Sequence, residues 1–244
     1  MKFLYILGFV SILIVNVTAR DDTIDGLIED ILNQKVEEFR EIMRTGDPEK
    51  GIPVLAPFET DYMENSFSFE GIISWSGVFK NLKVENMDNF INHKLTFSLL
   101  TMRSKFNFTL PDIIAQGFQD IRGHVFTVLP HWAYGNFRIA PTNVRFFGDA
   151  KLSINRDGFL NMDRLTASLY LDEFNSRMDN LLTGGDLSEL LNRVIPDIVP
   201  SSLDNFPDRV TAKLEKKMLP VINMFLNTIN IKEIMQAYNA KNFN

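Results

Sequence analysis

Hydrophobic and polar residues alternate through the middle of the chain, which is the pattern of a β-sheet with one covered face. Across residues 66–80 the odd positions are apolar or glycine and most even positions are polar, so this stretch predicts one half-buried strand. Gly71 and Gly77 would let that strand bend sharply. Residues 82–84, 95–99 and 106–110 continue the predicted sheet.

The alternation predicts a hairpin further along the chain. Residues 144–154 and 159–171 are its arms, and Asp157-Gly158 in the turn supplies the positive φ that a tight hairpin turn needs. The apolar residues of the second arm share one face: Leu165, Ala167, Leu169 and Leu171. Between the two sets of strands, residues 123–136 give mixed signals and no single element is assigned to them.

Apolar residues at helical spacing predict a helix at the start of the body of the chain. Asp22 or Thr23 would cap this helix, and residues 45–48 would end it. Its apolar stripe comprises Ile24, Leu27, Ile28, Ile31, Leu32, Phe39, Ile42 and Met43. The stripe fits a helix packed on a core, while lining a pocket or touching a membrane are the alternatives. Its acidic polar face favours the core.

Two more helices are predicted near the end of the chain. The first is short, residues 187–194, and Pro196 and Pro200 close it. A long helix then begins around residues 204–207 and is kinked at Pro220. Its apolar side is Val210, Leu214, Met218, Val221, Ile222, Phe225, Leu226 and Ile229. This stripe widens beyond Met218, which is expected of a helix wrapped by a sheet.

The first nineteen residues have the pattern of a secretory signal peptide. Lys2 precedes an apolar run over residues 3–15, and small residues at 17–19 offer a cleavage site before Arg20. The run is shorter than the roughly 20 apolar residues of a spanning helix. We therefore expect secretion and a single domain over residues 20–244, since the linker at residues 46–57 leaves too short a piece before it to fold alone.

Charge and composition exclude several kinds of function. A net charge of −6 argues against nucleic acid as a partner. The chain has no cysteine and three histidines, His93, His124 and His131, without zinc-ligand spacing. It also lacks a Gly-x-Ser-x-Gly elbow and a Gly-rich phosphate loop. We therefore expect no metal, no cofactor, no catalytic residues and no enzymatic activity. Asn107-Phe108-Thr109 is a glycosylation sequon that is either used or a chance match.

The order of these elements resembles a known superfamily. Residues 178–226, with the turn Asn180-Leu181-Leu182-Thr183-Gly184-Gly185, are similar to the corresponding segment and helix of the takeout and haemolymph juvenile hormone-binding proteins. The linker from Asp47 to Pro57 and the Asp157-Gly158 turn resemble the group 7 mite allergens and their insect relatives. The likeness covers nearly all of residues 20–244. The missing N-terminal cysteine pair favours the group 7 branch and argues against juvenile hormone as ligand.

The resemblance implies an α+β fold in which a strongly curved antiparallel sheet wraps a long C-terminal helix, leaving an elongated apolar tube for a lipid. On this basis the ligand-binding residues are Phe69, Trp75, Phe97, Phe108, Val221, Phe225 and Leu226. Composition alone fits a filled core equally well. The favoured function is a secreted arthropod carrier of a fatty acid, terpenoid or similar lipid. The alternatives are an innate-immunity protein that makes transient contact with membranes or bacterial lipid, and a hydrolase without a visible site. The sequence predicts no oligomeric state.

Overall fold

A computed structural model describes residues 23–49, 51–69, 73–125, 129–205 and 207–242. The predicted signal peptide lies outside these residues. The fold is α+β, with an eight-stranded antiparallel sheet. Its strands are β1 (Phe58–Phe69), β2 (Ile73–Glu85), β3 (Ile91–Ser98), β4 (Arg103–Asp112), β5 (Ile114–Val125), β6 (Leu129–Ile154), β7 (Leu160–Tyr170) and β8 (Glu173–Met178). The helices are α1 (Ile24–Thr45), α2 (Gly185–Asn205), α3 (Pro207–Leu226) and α4 (Ile231–Asn242), with a 3₁₀ turn at Leu181–Thr183.

Helix α1 forms where the sequence predicts it, and its ends are fixed by side-chain and glycine caps. The Thr23 hydroxyl accepts a hydrogen bond from the Gly26 amide at 3.2 Å. Gly46, at φ 74°, ends the helix with its amide donating to the Ile42 carbonyl. The buried stripe follows the helical period: Ile28, Leu32, Val36, Phe39 and Met43. The segment after the cap folds back, since the amides of Leu55 and Ala56 both donate to the Met43 carbonyl.

The 26-residue strand β6 is the spine of the sheet. Strands β4 and β5 follow one another along one of its edges, and β7 and β8 follow one another along the other. The β1–β2 hairpin extends the sheet beside β5, and β3 extends it beside β4. The predicted hairpin at residues 144–171 is confirmed as β6 and β7, with Gly158 at φ 101° in the turn.

The positions whose side chains point to the interior change from even-numbered to odd-numbered residues at one level of the sheet. In β4 the even positions are buried, as at Phe106 and Phe108, whereas in β5 the odd positions Gln119 and Ile121 are buried. The change falls near Ile113, whose amide donates to the carbonyl of Pro141 in β6. This level divides the sheet into a proximal half (β3, β4, β7 and residues 142–154 of β6) and a distal half (β1, β2, β5, β8 and residues 129–141 of β6).

Side chains from the helices cover the free edges of three strands. Two asparagines do this with both ends of their amides, and both pair with a methionine backbone. Asn223 of α3 accepts from the Met162 amide at 2.6 Å and donates to the Met162 carbonyl at 3.0 Å. Asn192 of α2 makes the same pair of bonds with Met178, both at 2.8 Å. These bonds satisfy backbone groups that an open edge would expose.

The edge of β3 is covered by acidic residues of α1. Glu29 accepts from the Phe97 amide at 2.6 Å, and Asp25 accepts from the Leu99 amide at 2.9 Å. Arg40 of the same helix donates to the carbonyls of Asp88 and Phe90, and its guanidinium lies 3.5 Å from the centre of the Phe90 ring. The acidic face predicted for α1 is therefore partly a docking face for the sheet.

The single strand predicted at residues 66–80 is wrong. This stretch contains the end of β1 and the start of β2, which pair as a hairpin with Phe67 opposite Trp75 and Phe69 opposite Ile73. Directly paired residues point to the same face of a sheet. The register pairs odd positions of β1 with odd positions of β2, so the alternation in the sequence is the same in both strands and reads as one strand.

The short helix predicted at residues 187–194 is also wrong, because α2 continues through Pro196 and Pro200. Each proline removes one helical hydrogen bond. Packing against the core holds the helix beyond them, through a stripe at four-residue spacing: Leu191, Ile195, Val199 and Leu203. The long helix begins at Pro207 as predicted but ends at Leu226, so Ile229 lies in the connection to α4.

Candidate functional site

An apolar cavity lies inside the proximal half, between α1, α3 and the inner face of the sheet. All but two of its fifteen lining residues are apolar. The lining consists of Leu32, Lys35, Val36, Leu95, Ser104, Phe106, Phe108, Ala150, Leu152, Met162, Leu165, Ile222, Phe225, Leu226 and Ile229. Most of them follow the period of their element, every second residue in β4 and β6 and every third or fourth in the helices, while Met162 and Leu165 of β7 are three residues apart across a register shift. The same sequence pattern that builds the core therefore surrounds this space.

The cavity is narrow and communicates with solvent. The space between its side chains is about 620 Å³ with the open mouth included, of which about 60 Å³ admits the centre of a water molecule. Lys35 is the charged lining residue, with a third of its side chain exposed and its ammonium 2.7 Å from Glu38. An apolar space of this kind favours dry contents over water, because each buried water needs two to four polar partners.

Helix α3 positions one wall of the cavity. Ile222, Phe225 and Leu226 lie on one side of the helix at three- and four-residue spacing, and the Phe225 ring meets Phe39 of α1 edge to face at 5.1 Å. The bonds between Asn223 and Met162 fix the helix against β7 at the same level. The Glu215 carboxylate also accepts from the Leu165 amide at 3.1 Å. The cavity wall is thus anchored to the sheet by polar bonds beside it.

Three of the seven predicted ligand-binding residues line this cavity: Phe108, Phe225 and Leu226. Phe97 is buried in β3 but does not line the cavity. Trp75 lies in the distal half, where its ring meets Phe79 edge to face at 5.5 Å. The side chains of Phe69 and Val221 lie outside the part of the structure that is described. The predicted ligand-binding residues did not include any from α1, for which lining a pocket was only an alternative, nor Met162 and Leu165 on β7.

The distal half contains a row of aromatic rings and one buried amide. Phe79 is 5.5 Å from both Trp75 and Phe137, in edge-to-face contacts. Gln119 is directly opposite Phe79 in the sheet and is 2% exposed. Its Nε2 atom is buried and has no hydrogen-bond partner among the described residues. Only its inward parity in β5 could have singled out Gln119 from the sequence, and β5 itself was not predicted.

The sequon asparagine, Asn107, lies in the middle of β4 with a paired strand on either side. Its partners are Lys94 in β3 and Phe147 in β6, and its side chain is half-buried. The third residue of the sequon, Thr109, is buried and lies 2.9 Å from Nε2 of His93. A glycan would therefore have to be attached before β4 is paired on both sides.

Ionic contacts lie mainly on the surface. Arg177 of β8 and Glu189 of α2 form a bidentate pair at 3.0 and 2.7 Å. The hydrogen bond from Arg177 lowers the pKa of the Glu189 carboxyl.

Within the described ranges, no group of three or more ligating side chains is arranged to hold a metal ion. Every described helix is too short or too polar to cross a bilayer.

Comparison with known proteins agrees with this architecture. A family model described as haemolymph juvenile hormone binding protein (JHBP) matches residues 15–236. The crystal structure of Epiphyas postvittana Takeout 1 superposes with a TM-score of 0.58 at 18% identity, covering 81% of this chain and 92% of that one. A lipopolysaccharide binding protein structure gives a TM-score of 0.37 at 14% identity, covering 69% of this chain and 36% of that one. No curated protein matches significantly.

Proposed function

Because the chain belongs to the haemolymph juvenile hormone binding protein family, we propose that it is a secreted carrier of a small hydrophobic ligand. The ligand, a fatty acid, terpenoid or similar lipid, would lie in the cavity between α1, α3 and the proximal half of the sheet. The single observation that carries this proposal is the apolar lining, with Lys35 and Ser104 as its polar members.

The energetics of such a site depend on burial alone. Each methylene group removed from water contributes about 0.8 kcal/mol, so a chain of a dozen carbons gains roughly 10 kcal/mol before the cost of lost motion. Phe106, Phe108 and Phe225 provide large rigid surfaces, and Met162 provides a flexible one. The lining therefore suits a ligand recognised by shape and apolar area.

The test fills the cavity by substitution and compares the result with a close-packed position. Phe225→Trp adds volume at the cavity wall, so we expect lower affinity for fatty acids or terpenoids, measured by displacement of a hydrophobic fluorescent probe, and stability unchanged or raised. Phe146→Trp is the matched control. Phe146 is 1% exposed, stacks on Phe106 at 5.0 Å and does not line the cavity. Overpacking there should cost about 1–3 kcal/mol.

Two outcomes would contradict the carrier proposal. If Phe225→Trp destabilises the protein as much as Phe146→Trp and no lipid displaces the probe, the interior is a filled core. If the protein sediments with lipid vesicles but holds no bound lipid in native mass spectrometry, surface recognition becomes the better explanation.

Secretion and glycosylation are part of the same proposal. Cleavage after Ala19 would leave Arg20 as the first residue, and N-terminal sequencing of protein from a eukaryotic secretion host tests this. A glycan on Asn107 should give a mobility shift on glycosidase treatment that is absent in Asn107→Gln. Retention of the first nineteen residues would refute the signal, and absence of the shift would refute only the glycan.

A further inference from the structure

The charged residue in the lining of the proximal cavity is a cation, Lys35 of α1. A third of its side chain is exposed, and its ammonium lies 2.7 Å from the carboxylate of Glu38, which is itself 44% exposed. A lysine placed in this way packs its methylene stem on apolar groups and keeps its charge in water. The stem therefore belongs to the cavity wall, and the ammonium lies at the solvent end of the cavity.

The Lys35 ammonium has donors to spare for a second acceptor. An ammonium has three hydrogen-bond donors. Among the described residues its acceptor is one oxygen of Glu38, and the other oxygen of Glu38 accepts from the Gln34 amide at 3.1 Å. Glu38 is thus held along the helix, and the remaining donors of Lys35 can meet a group that reaches the mouth from inside the cavity.

The interior of the cavity does not suit a charged headgroup. The other polar residue of the lining, Ser104, lies on the inner face of the sheet and is 5% exposed. Burying an ionised carboxylate there without a cationic partner carries a large desolvation cost. A charged headgroup therefore belongs at the mouth, with its apolar chain directed inward against Phe106, Phe108 and Phe225.

We propose that Lys35 is a specificity-determining residue that pairs with the carboxylate of a fatty acid whose chain lies in the cavity. This inference rests on the proposed carrier function and narrows its ligands to lipids with an ionised carboxylate, bound with the headgroup outward. A hydrogen bond between an ammonium and a carboxylate is about twice as strong as a neutral one. A neutral lipid of the same length would fill the same space without this bond.

Glu38 should oppose the pairing that Lys35 favours. The ligand carboxylate and Glu38 would share one ammonium, so their like charges repel each other. Acidic residues also outnumber basic ones along α1, so the helix as a whole repels an anion. The preference for a carboxylate therefore depends on direct contact with Lys35, and removing the charge of Glu38 should strengthen it.

The test compares an acid with a neutral ligand of the same shape. The ligands are dodecanoic acid and dodecanamide at about pH 8, where the acid is ionised. Lys35→Met keeps an unbranched stem in the cavity wall and removes the charge. Lys105→Met is the matched control, because Lys105 is exposed on the outer face of β4 between two lining residues, Ser104 and Phe106. Affinities come from displacement of N-phenylnaphthylamine, a fluorescent probe without charge.

The quantity compared is the preference for the acid, the ratio of the dissociation constant of the amide to that of the acid. Relative to the wild type, it should fall by about 3- to 10-fold in Lys35→Met, an effect between those of an exposed ion pair and of a buried charged hydrogen bond. It should be unchanged in Lys105→Met. Glu38→Gln should raise it by about 2- to 5-fold, because the competing carboxylate is gone.

Three results would overturn the inference. If both ligands bind and Lys35→Met keeps the wild-type preference, the ammonium does not contact the headgroup, and the carrier proposal still stands. If Lys105→Met lowers the preference equally, the effect is one of net charge and not of a contact. If neither ligand nor any other lipid displaces the probe from the wild type, the carrier proposal fails together with this one.

Two measurements keep the inference testable if Lys35→Met does not fold. Glu38→Gln retains Lys35, and an unchanged or lowered preference in this variant would rule out competition for the ammonium. In the wild type, the preference for the acid should fall as salt is added, because a charge pair at the solvent end of the cavity is screened. A preference that salt does not change would rule out pairing at this partly exposed ammonium.

Discussion

The proximal and distal halves of the sheet cover their edges in the same way but differ in what they enclose. Asn223 pairs with Met162 at the edge of β7, and Asn192 pairs with Met178 at the edge of β8. The interior of the proximal half is an apolar cavity, while that of the distal half holds aromatic rings and the unpartnered amide of Gln119. Edge protection is thus separable from the chemistry of the interior.

A truncating substitution in the interior of the proximal half should have the largest effect on the stability of the protein. Phe108 is 1% exposed and packs against Phe106 as well as lining the cavity. We expect Phe108→Ala to lower the free energy of unfolding by about 3–5 kcal/mol in urea denaturation, because it enlarges a space that is already partly empty. Phe147→Ala is the control, since that ring is 38% exposed on the opposite face of the sheet. It should cost less than about 1 kcal/mol. Equal losses would show that the two faces are packed alike.

Removing the edge asparagines tests whether the two halves use one device. Asn223→Leu and Asn192→Leu each leave a methionine amide and carbonyl without their side-chain partner. Each should cost about 1–3 kcal/mol. The losses should add within about 0.5 kcal/mol in the double variant, because the two residues share no partner. Asn239→Leu, at an exposed position of α4, is the control. A loss confined to one of the two variants would show that only one edge depends on its asparagine.

The smallest effect concerns the ion pair that joins α2 to β8. Arg177 lowers the pKa of Glu189, so the folded protein holds this carboxyl ionised more readily than the unfolded chain does. The resulting stabilisation is complete above the ordinary glutamate pKa and is lost as the pH falls through the lowered value. Glu189→Gln should therefore show a shallower acid loss of stability in thermal melts. Because the pair is exposed, the difference should be small and should shrink in salt. A stability difference between the wild type and Glu189→Gln that grows as the pH falls below the glutamate pKa would contradict this assignment.

The parts of the fold that could be predicted from the sequence are those whose signals lie within a single helix or hairpin. Helix α1 and the β6–β7 hairpin were predicted because caps, turn residues and periodicity lie within them. Strand β5 and the first half of β6 were not predicted, because glycines and prolines interrupt their alternation and both faces carry apolar residues. The division between β1 and β2 was hidden because their register pairs odd positions with odd positions. The extension of α2 past its prolines depends on packing, which the local sequence does not express.

The candidate site was predicted in part for the same reason. Phe108, Phe225 and Leu226 belong to clear stripes, so their inward direction followed from period alone. Trp75 shares the inward parity of its strand but lies in the other half, since period gives the face of a sheet and not the position along it. Gln119 could not be found by searching for apolar residues. Its Nε2 atom lacks a hydrogen-bond partner among the described residues, which is a property of the folded arrangement.

The use of C-terminal helices to cover the edges of β7 and β8 has a consequence for the order in which the protein is made. On the ribosome, the last strand is complete at Met178, whereas α3 ends at Leu226. At about 5–20 residues per second, the intervening chain takes roughly 2–10 s to emerge. During that interval the edges of β7 and β8 lack the side chains of the C-terminal helices that cover them, and open edges pair readily with other chains. A premature stop in α3 before Asn223 would therefore leave the edge of β7 permanently open to pairing with other chains.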